Sequence, residues 1–504
     1  MANKRTASAP AQDAAAPSAD SEAARFLRVF MAVAPAMFLG SLDQTIVATA
    51  LPVIAARFDS FANIAWIVSA YLLAATVAAP IYGRLGDAIG RKTALLSALA
   101  LFIAGSLACA LAPSFWTLVG ARAVQGLGGG GLMTIAQALI GEAVSPKDRG
   151  RFQGWFGAVF AAASTLGPVL GGLLAEHVGW RWIFWINLPL GLVAAVVAWR
   201  VKPEKGAGNF SPDVVGTAVF AAATLALLLA LSLGTALGWE SPIVLSLLAV
   251  GIFGFAILLP IERRVATPLL SPGLLAQPVV WRACLCVLLY AAALFASLVQ
   301  FPLLLELRFA IEPSKAGLLL LPLTLAEVGV STWAGYRISA TGLPRAPLVL
   351  GLGVATVGFA MMTIVLPLGP LPIAASSMLF GLGLGTTMPA AQTIAQWAGG
   401  KARLGVSTAT LSFARSVGGV VGTAGTAAIL LAAINHYAPG NATQILALLD
   451  GSGASAGPRL PREAIDAAFR IVFGAIAVMA LIATLIAASI PQVNLDNPEV
   501  IDTE

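Results

Sequence analysis

Apolar residues are gathered along the chain into runs of about 20 residues, separated by shorter polar or glycine-rich stretches. Runs of this length suit helices that cross a bilayer, whereas the strands of a membrane barrel would alternate in polarity over about 10 residues. The pattern therefore predicts an all-α integral membrane protein with fourteen spans. They lie near residues 28–53, 64–82, 94–112, 116–140, 153–175, 182–199, 214–234, 241–260, 283–305, 316–336, 347–367, 371–396, 405–433 and 469–490.

Two polar loops suggest that these spans form related halves. The loop at 83–92 reads GRLGDAIGRK, and the loop at 335–345 reads GYRISATGLPR, with the same glycine start and basic end. Two six-helix bundles around two extra central helices would account for fourteen spans. The predicted boundaries are 26–200 and 281–490 for the bundles, 201–280 for the linker helices, and 1–25 and 491–504 for disordered cytoplasmic tails.

The distribution of Lys and Arg orients these spans. Twenty of the 29 basic residues fall on the side of the N-terminus, seven fall on the other side, and Arg122 and Arg415 lie within spans. Because basic loops stay in the cytoplasm, both termini are expected there. The net charge of +6 is thus a matter of topology and carries no indication of nucleic-acid binding.

The sequence gives no support for an enzyme. It contains no GxxxxGK[ST] phosphate loop, so ATP is not the expected energy source. No Ser/His/Asp arrangement and no metal-ligand cluster stands out, and Cys109, Cys284 and Cys286 are dispersed in apolar segments. The glycine-rich run at 126–131 lies within a span, where it indicates close helix packing rather than a phosphate site.

Two acidic residues lie well inside hydrophobic spans, Asp43 in the first and Glu327 in the tenth. A carboxylate in this setting costs several kcal/mol unless it is protonated, paired or facing water. We expect Asp43 to border a water-filled cavity; the alternative is a permanently protonated structural residue bonded to Thr45 or Gln44. Glu327 is expected to be a second proton site or the counter-charge of a cationic substrate, and the alternative is a pair with Arg415.

Arg122 lies within the fourth span, in the stretch LVGARAVQG. A buried guanidinium needs a partner, and Gln125, one turn further along, could share its hydrogen bonds. We expect Arg122 to control the protonation of a nearby carboxylate. The alternative is that its side chain extends to the membrane interface.

The loop at 83–92 is expected to form a latch between the halves on the cytoplasmic face. Its proposed members are Gly83, Asp87, Gly90 and Arg91. The glycines permit a tight reversal, and Asp87 can cap a helix N-terminus or pair with a neighbouring arginine.

The fifth span contains a candidate hinge. Its residues Gly167, Pro168, Gly171 and Gly172 combine a proline that removes a backbone donor with glycines that let a neighbouring helix approach. A bent, closely packed helix of this kind could serve as a seal and as a pivot.

These motifs resemble those of the major facilitator superfamily, and more narrowly the fourteen-span drug:proton antiporters of the EmrB/QacA type. The similar stretches are the loop at 83–92, with Ala88 where a basic residue is usual, LVGARAVQG at 118–126, GPVLGG at 167–172, LDQTIV at 42–47 and WRWIFWINLP at 180–189. The resemblance covers residues 26–490 and is strongest in the first half. It does not identify the substrate.

The resemblance implies an exporter of small amphipathic, cationic compounds that works by alternating access in a bacterial inner membrane. The proton gradient would supply the energy without a cofactor, and Asp43 would be the main proton site. The implied partners are the substrate and the lipid bilayer, and in some family members a periplasmic adaptor. Candidate cavity-lining residues are Gln44, Gln125, Gln137, Gln300, Gln392 and Gln396, with Trp66, Tyr71, Phe295 and Trp333.

Two other functions remain open at this stage. A uniporter or a proton symporter that imports a metabolite would have the same spans, although the GPVLGG stretch favours an antiporter. A membrane receptor that binds a ligand without moving it is the third possibility, and the sequence carries no recognisable signalling domain in its favour.

Overall fold

The structure is a computed structural model that describes residues 19–58, 60, 63–144, 153–200, 213–265, 268–269, 271–311, 318–400, 403–439 and 461–495. Most of the two predicted tails, at 1–18 and 496–504, and the middle of the predicted loop between the last two spans, at 440–460, lie outside these described residues.

Seventeen α-helices and one short 3-10 helix make up the described part of the chain, which contains no β-strand. The helices are α1 Ala19–Phe58, α2 Ala65–Ile89, α3 Arg91–Leu111, α4 Phe115–Ala143, α5 Gln153–His177, α6 Trp182–Trp185, α7 Asn187–Trp199, α8 Val214–Leu237, α9 Pro242–Glu262, α10 Pro272–Leu275, α11 Pro278–Phe309, α12 Leu321–Thr341, α13 Arg345–Val365, α14 Pro370–Leu384, α15 Thr387–Gly399, α16 Leu404–Tyr437 and α17 Arg462–Ala488; the 3-10 turn Leu366–Leu368 follows α13.

Twelve helical stretches within the described residues are long and apolar enough to cross a membrane. The predicted all-α membrane fold is therefore confirmed. The helices α5 and α12 coincide with the two remaining predicted spans, 153–175 and 316–336. Two predicted spans are not continuous, because 182–199 divides into α6 and α7, and 371–396 divides into α14 and α15.

The helices pack in two groups. In the first, α4 packs against α2 and α3, and α1 packs against α5 and α7. In the second, α11 packs against α16, and α13 packs against α14 and α17. The α4 glycines explain one close approach: a Cβ on Gly126 would lie 2.3 Å from Tyr71 O, and one on Gly130 would lie 2.2 Å from Ala75 O. Only glycine lets α2 and α4 come this near to each other.

The central helices α8 and α9 pack against each other, and α8 also contacts both groups. Leu228 of α8 lies in one buried cluster with Leu73 of α2 and Val417 of α16. Nearby, the rings of Phe220 and Phe413 have centroids 5.2 Å apart. The α8 helix therefore lies across the seam between α2 and α16.

The basic loops gather at one end of the molecule. There Arg282 donates to the carbonyl of Ser489 at 2.7 Å, and the amide of Leu495 donates to the carbonyl of Gly342 at 3.0 Å. Lys92 likewise donates to the carbonyl of Trp199. We call this the basic end; it holds the end of α2 and the start of α16, which matter for the site below.

Candidate functional site

The carboxylate of Asp43 lies at the centre of a polar cluster inside the first helix group. Arg122 Nη1 donates to Asp43 Oδ2 at 2.6 Å, and the Nε2 of Gln125 and the Nδ2 of Asn187 donate to Asp43 Oδ1 at 2.8 and 2.9 Å. Arg122 also donates to the Gln125 side chain at 2.8 Å and to the carbonyl of Ile67 at 3.2 Å. The Asp43 carboxyl group is thus the acceptor in all three of its bonds, and one of the three donors is a charged guanidinium.

Aromatic rings close the same cluster. The Arg122 guanidinium lies 4.4 Å from the centroid of the Tyr71 ring and 5.8 Å from that of Phe184. The Asn187 amide also donates to Ser106 at 3.0 Å, which fixes its orientation. Asp43 is 0% exposed and Arg122 is 1% exposed, so this buried pair is shielded from water on every side.

The expectation that Asp43 borders a water-filled cavity is wrong for this conformation. Its charge is compensated by Arg122 from α4 and by Asn187 from α7, so it needs no contact with water. The alternative with Thr45 does not hold either, because the Thr45 hydroxyl donates to the carbonyls of Leu42 and Ala163. Arg122 does not reach the interface, since the pair holds it inside the helix group.

Glu327 of α12 is in a more open setting. Its side chain is partly exposed, and the Tyr290 hydroxyl donates to Glu327 Oε1 at 2.8 Å. Arg415 of α16 is near enough for its charge to act on both residues, yet the described residues contain no ion pair between Arg415 and Glu327. The Arg415 guanidinium instead lies 5.7 Å from the Phe295 ring centroid. The alternative in which Glu327 forms an ion pair with Arg415 is therefore not seen.

The predicted latch residues lie where the two helix groups meet at the basic end. Asp87 accepts hydrogen bonds from the backbone amides of Gly405 and Val406, both at 3.1 Å, and thereby caps the start of α16. It also pairs with Arg91 at 2.9 Å. Gly83 is a close-contact position, since a Cβ there would lie 2.6 Å from the Gly405 carbonyl oxygen.

Two further interactions hold Arg91 in this position. It donates to the carbonyl of Ala138 at 2.7 Å and lies 3.3 Å from Glu142 Oε2. Gly90, between α2 and α3, has φ of 90°, a value that side chains disfavour. The turn therefore presents Asp87 to the opposite helix group while Arg91 neutralises it from its own group.

Only two of the three predicted hinge glycines lie against a neighbouring helix. A Cβ on Gly167 would lie 1.9 Å from Thr45 Oγ1, and one on Gly171 would lie 2.4 Å from the carbonyl oxygen of Ile46, so these two glycines press α5 against α1. A Cβ on Gly172 would have no atom within 4 Å, so this glycine takes no part in the contact. The helix runs without interruption through Pro168.

The cavity candidates are not brought together in one place. Gln125 and Tyr71 belong to the Asp43 cluster, and Phe295 lies beside Arg415. Gln392 donates to Gln137 at 3.4 Å, a bond that links the two helix groups.

The remaining candidates are scattered. Gln300 is buried and donates to Thr426 at 3.3 Å, and Gln396 donates to Thr408 at 2.9 Å. Gln44 and Trp66 are partly buried, and Trp333 is 53% exposed.

Sequence reasoning missed three residues of these clusters. Asn187 and Ser106 complete the surroundings of Asp43, and Tyr290 holds Glu327. Asn187 was contained in the WINLP stretch that carried the resemblance, and its polar amide within an apolar run was a usable signal. Tyr290 and Ser106 gave no comparable signal, because hydroxyl side chains are common within membrane spans.

Comparisons with known proteins give a consistent result. The sequence model of the Major Facilitator Superfamily matches residues 33–423. The chain is 32% identical to the multidrug transporter protein MdtP of Bacillus subtilis over 391 residues, which are 77% of this chain and 72% of that protein. It is 34% identical to the efflux pump dotC of Dothistroma septosporum over 399 residues, covering 77% of this chain and 69% of the relative.

Solved structures agree on the fold. The proton:xylose symporter XylE bound to 6-bromo-6-deoxy-D-glucose matches with a TM-score of 0.65 at 12% identity, covering 95% of this chain and 99% of the other. The human organic anion transporter MFSD10 matches with a TM-score of 0.62 at 16% identity, covering 92% of this chain and 99% of the other. At these identities the likeness concerns the fold alone.

Proposed function

Because the chain belongs to the major facilitator superfamily, we propose that it exports small amphipathic, cationic compounds in exchange for protons. The proposal includes the fourteen-span architecture of the EmrB/QacA type and a location in a bacterial inner membrane. The outward direction is supported by the names of relatives, which include a multidrug transporter and an efflux pump.

The observation that supports proton coupling is the presence of a single carboxylate, that of Glu327, among the apolar residues of its span. It is a partly exposed carboxylate within a predicted membrane span, and Tyr290 donates to only one of its oxygens. Such a group can take up a proton or attract a cation, and it cannot do both at once. Competition for one carboxylate is a simple physical basis for exchange.

Asp43 and Arg122 take a second part in this proposal. Asp43 accepts three hydrogen bonds, one of them from the positively charged Arg122, so a proton at Asp43 competes with the charge of this arginine. Proton binding at Asp43 is therefore favoured when Arg122 moves away, which would couple protonation to a rearrangement of α1 against α4. The latch at Asp87 opens and closes in the same cycle of alternating access.

The basic end is assigned to the cytoplasm, with both termini on that side. This assignment is supported by the arginine and lysine residues collected there, among them Lys92, Arg282 and Arg345. The proton gradient serves as the energy source without a cofactor. A periplasmic adaptor is not part of the proposal, since the relatives include fungal transporters.

Purified protein in liposomes with an acidic interior provides the test. Ethidium, a lipophilic cation, should accumulate inside as protons leave, and nigericin, which dissipates the pH gradient, should abolish the accumulation. The membrane potential is clamped with valinomycin and potassium, so that the pH gradient alone drives transport.

Matched variants locate the coupling residue. Glu327→Gln should reduce gradient-driven accumulation to the level of protein-free liposomes, because the amide cannot exchange a proton. Glu306→Gln, which changes an exposed glutamate near the end of α11, is the control and should transport as wild type does. Full gradient-driven transport by Glu327→Gln would contradict this coupling role, and ethidium movement in the same direction as the protons would favour symport.

A further inference from the structure

Arg415 is a charged side chain whose hydrogen-bonding groups are left unfilled. Its guanidinium makes no hydrogen bond and no ion pair among the described residues, and its Nε is buried without an acceptor. Its guanidinium carbon lies 5.7 Å from the centroid of the Phe295 ring. Arg122, the other arginine predicted within a span, has Asp43, Gln125 and the Ile67 carbonyl as partners.

An unfilled guanidinium inside a membrane protein is costly. The Arg415 side chain is only partly exposed, its buried Nε–H group has left water without an acceptor, and its positive charge has no ion-pair partner among the described residues. One aromatic ring offers a weak cation–π contact, which is worth far less than a carboxylate. Keeping such a group is explained most simply if its acceptor arrives from outside the chain.

Glu327, the nearby residue of opposite charge, has a hydrogen bond on only one of its two carboxylate oxygens. Tyr290 donates to Glu327 Oε1, and Oε2 makes no hydrogen bond within the described residues. Phe295, which lies beside Arg415, and Tyr290, which bonds Glu327, both belong to α11, so Arg415 of α16 and Glu327 of α12 flank the same stretch of that helix. Since no direct ion pair closes the gap, a positive and a negative group face this region separately.

We infer that this region binds dipolar substrates, with an anionic oxygen of the substrate on Arg415, its cationic group on Glu327, and a flat apolar part against Phe295. The inference rests on the proposed function and specifies that, among cationic substrates, those that also carry an anionic oxygen are preferred. Two charge-assisted contacts of opposite sign also fix the orientation of the substrate in the site.

A matched pair of fluorescent dyes tests this assignment. Tetramethylrhodamine carries a positive xanthene and a free benzoate, and its methyl ester is the same dye without the negative charge. Binding to the purified full-length protein in detergent is measured by fluorescence anisotropy at neutral pH. We expect wild type to bind the free acid about tenfold more tightly than the ester, the gain of one charge-assisted hydrogen bond.

Variants separate binding from folding. Arg415→Gln should bring the affinity ratio of acid to ester close to one while binding of the ester is retained. Arg415→Lys should keep part of the preference for the acid, because it keeps the charge and loses the planar fork. Arg337→Gln changes an exposed arginine of α12 and should leave the ratio at its wild-type value.

Several results would overturn the inference. They are equal affinity of wild type for acid and ester, no measurable binding of the acid, or equal loss of both dyes in Arg415→Gln, which would mark a structural role. The proposed function is tested separately by gradient-driven ethidium accumulation. If ethidium is exported and the acid is not preferred, only the dipolar site fails; if no cation is exported, the proposed function fails.

Discussion

The carboxylates of Asp43 and Glu327 are both placed within apolar helices, and their neighbours treat them differently. Asp43 is fully buried, accepts three hydrogen bonds and pairs with Arg122 at 2.6 Å. Glu327 is partly exposed, accepts one hydrogen bond from Tyr290 and has an arginine close by without pairing to it. The first arrangement is complete within the chain, whereas the second leaves groups available to something that binds.

The two carboxylates are therefore suited to different roles: one to holding helices together and the other to binding ligands or protons. A satisfied ion pair holds its helices in one arrangement and responds only when they move. A half-satisfied carboxylate responds to small ligands and protons without requiring the fold to change. The comparison predicts that the first helix group depends on its charge pair for stability, and that the second does not.

The largest effect is expected from Arg122→Met. It leaves Asp43 buried without a counter-charge, which should lower the free energy of unfolding by about 3–5 kcal/mol. Thermal unfolding of the detergent-purified protein measures the loss. The double variant Asp43→Asn/Arg122→Met removes both charges and should recover most of the stability; no recovery would show that the pair is not the source of the effect.

A smaller effect is expected at the latch, where a third carboxylate, that of the buried Asp87, joins the two helix groups. Asp87→Asn keeps its size and loses its charge, so the amides of Gly405 and Val406 lose about 1.5–3 kcal/mol of protection. Amide hydrogen exchange at the start of α16 measures this change. Unchanged protection at these two amides would mean that Asp87 does not hold the groups together.

The packing around each carboxylate gives the third prediction. Gly171→Ala places a methyl group 2.4 Å from the Ile46 carbonyl oxygen and should destabilise the protein by about 1–3 kcal/mol. Gly172→Ala, the adjacent position, and Gly329→Ala, two residues beyond Glu327, have no atom within 4 Å of the added carbon. Both controls should unfold at close to the wild-type temperature, and equal losses in all three would refute the contrast in packing.

The smallest effect on stability is expected from Glu327→Gln. The Tyr290 hydroxyl can still donate to the amide oxygen, so the free energy of unfolding should change by less than about 1 kcal/mol. The same thermal unfolding measurement applies, beside the transport assay in which this variant should fail. A loss of several kcal/mol would show that Glu327 is as structural as Asp43, and the comparison would no longer stand.

The helical membrane fold could be predicted because the lengths of apolar runs are a local property of the sequence. The breaks after Trp185 and Leu384 did have a local signal, because Pro189 and Pro389 cannot donate to the carbonyls of Trp185 and Gly385. The surroundings of Asp43 were out of reach, because its partners Arg122 and Asn187 are 79 and 144 residues away along the chain. Which polar groups meet inside a bundle depends on helix rotation, which the sequence pattern leaves open.

The latch is an intermediate case. The pairing of Asp87 with Arg91 is a local contact, because the two residues are four apart on either side of the Gly90 turn that joins α2 to α3. The first amide that Asp87 caps, that of Gly405, lies 318 residues further along the chain, and only the packing of the two groups identifies it. The sequence therefore indicated that Asp87 can cap a helix, and only the tertiary structure shows that the capped helix is α16.

The position of α8 has a mechanical consequence. Leu228 lies in one buried cluster with Leu73 of α2 and Val417 of α16, and Phe220 adds a ring contact to Phe413 of α16. If α2 and α16 part during transport, α8 cannot follow both. It would have to move with one of them and slide over the other. One of these apolar contacts would then break and re-form in each transport cycle, and the side chains at that contact would affect the rate of the cycle.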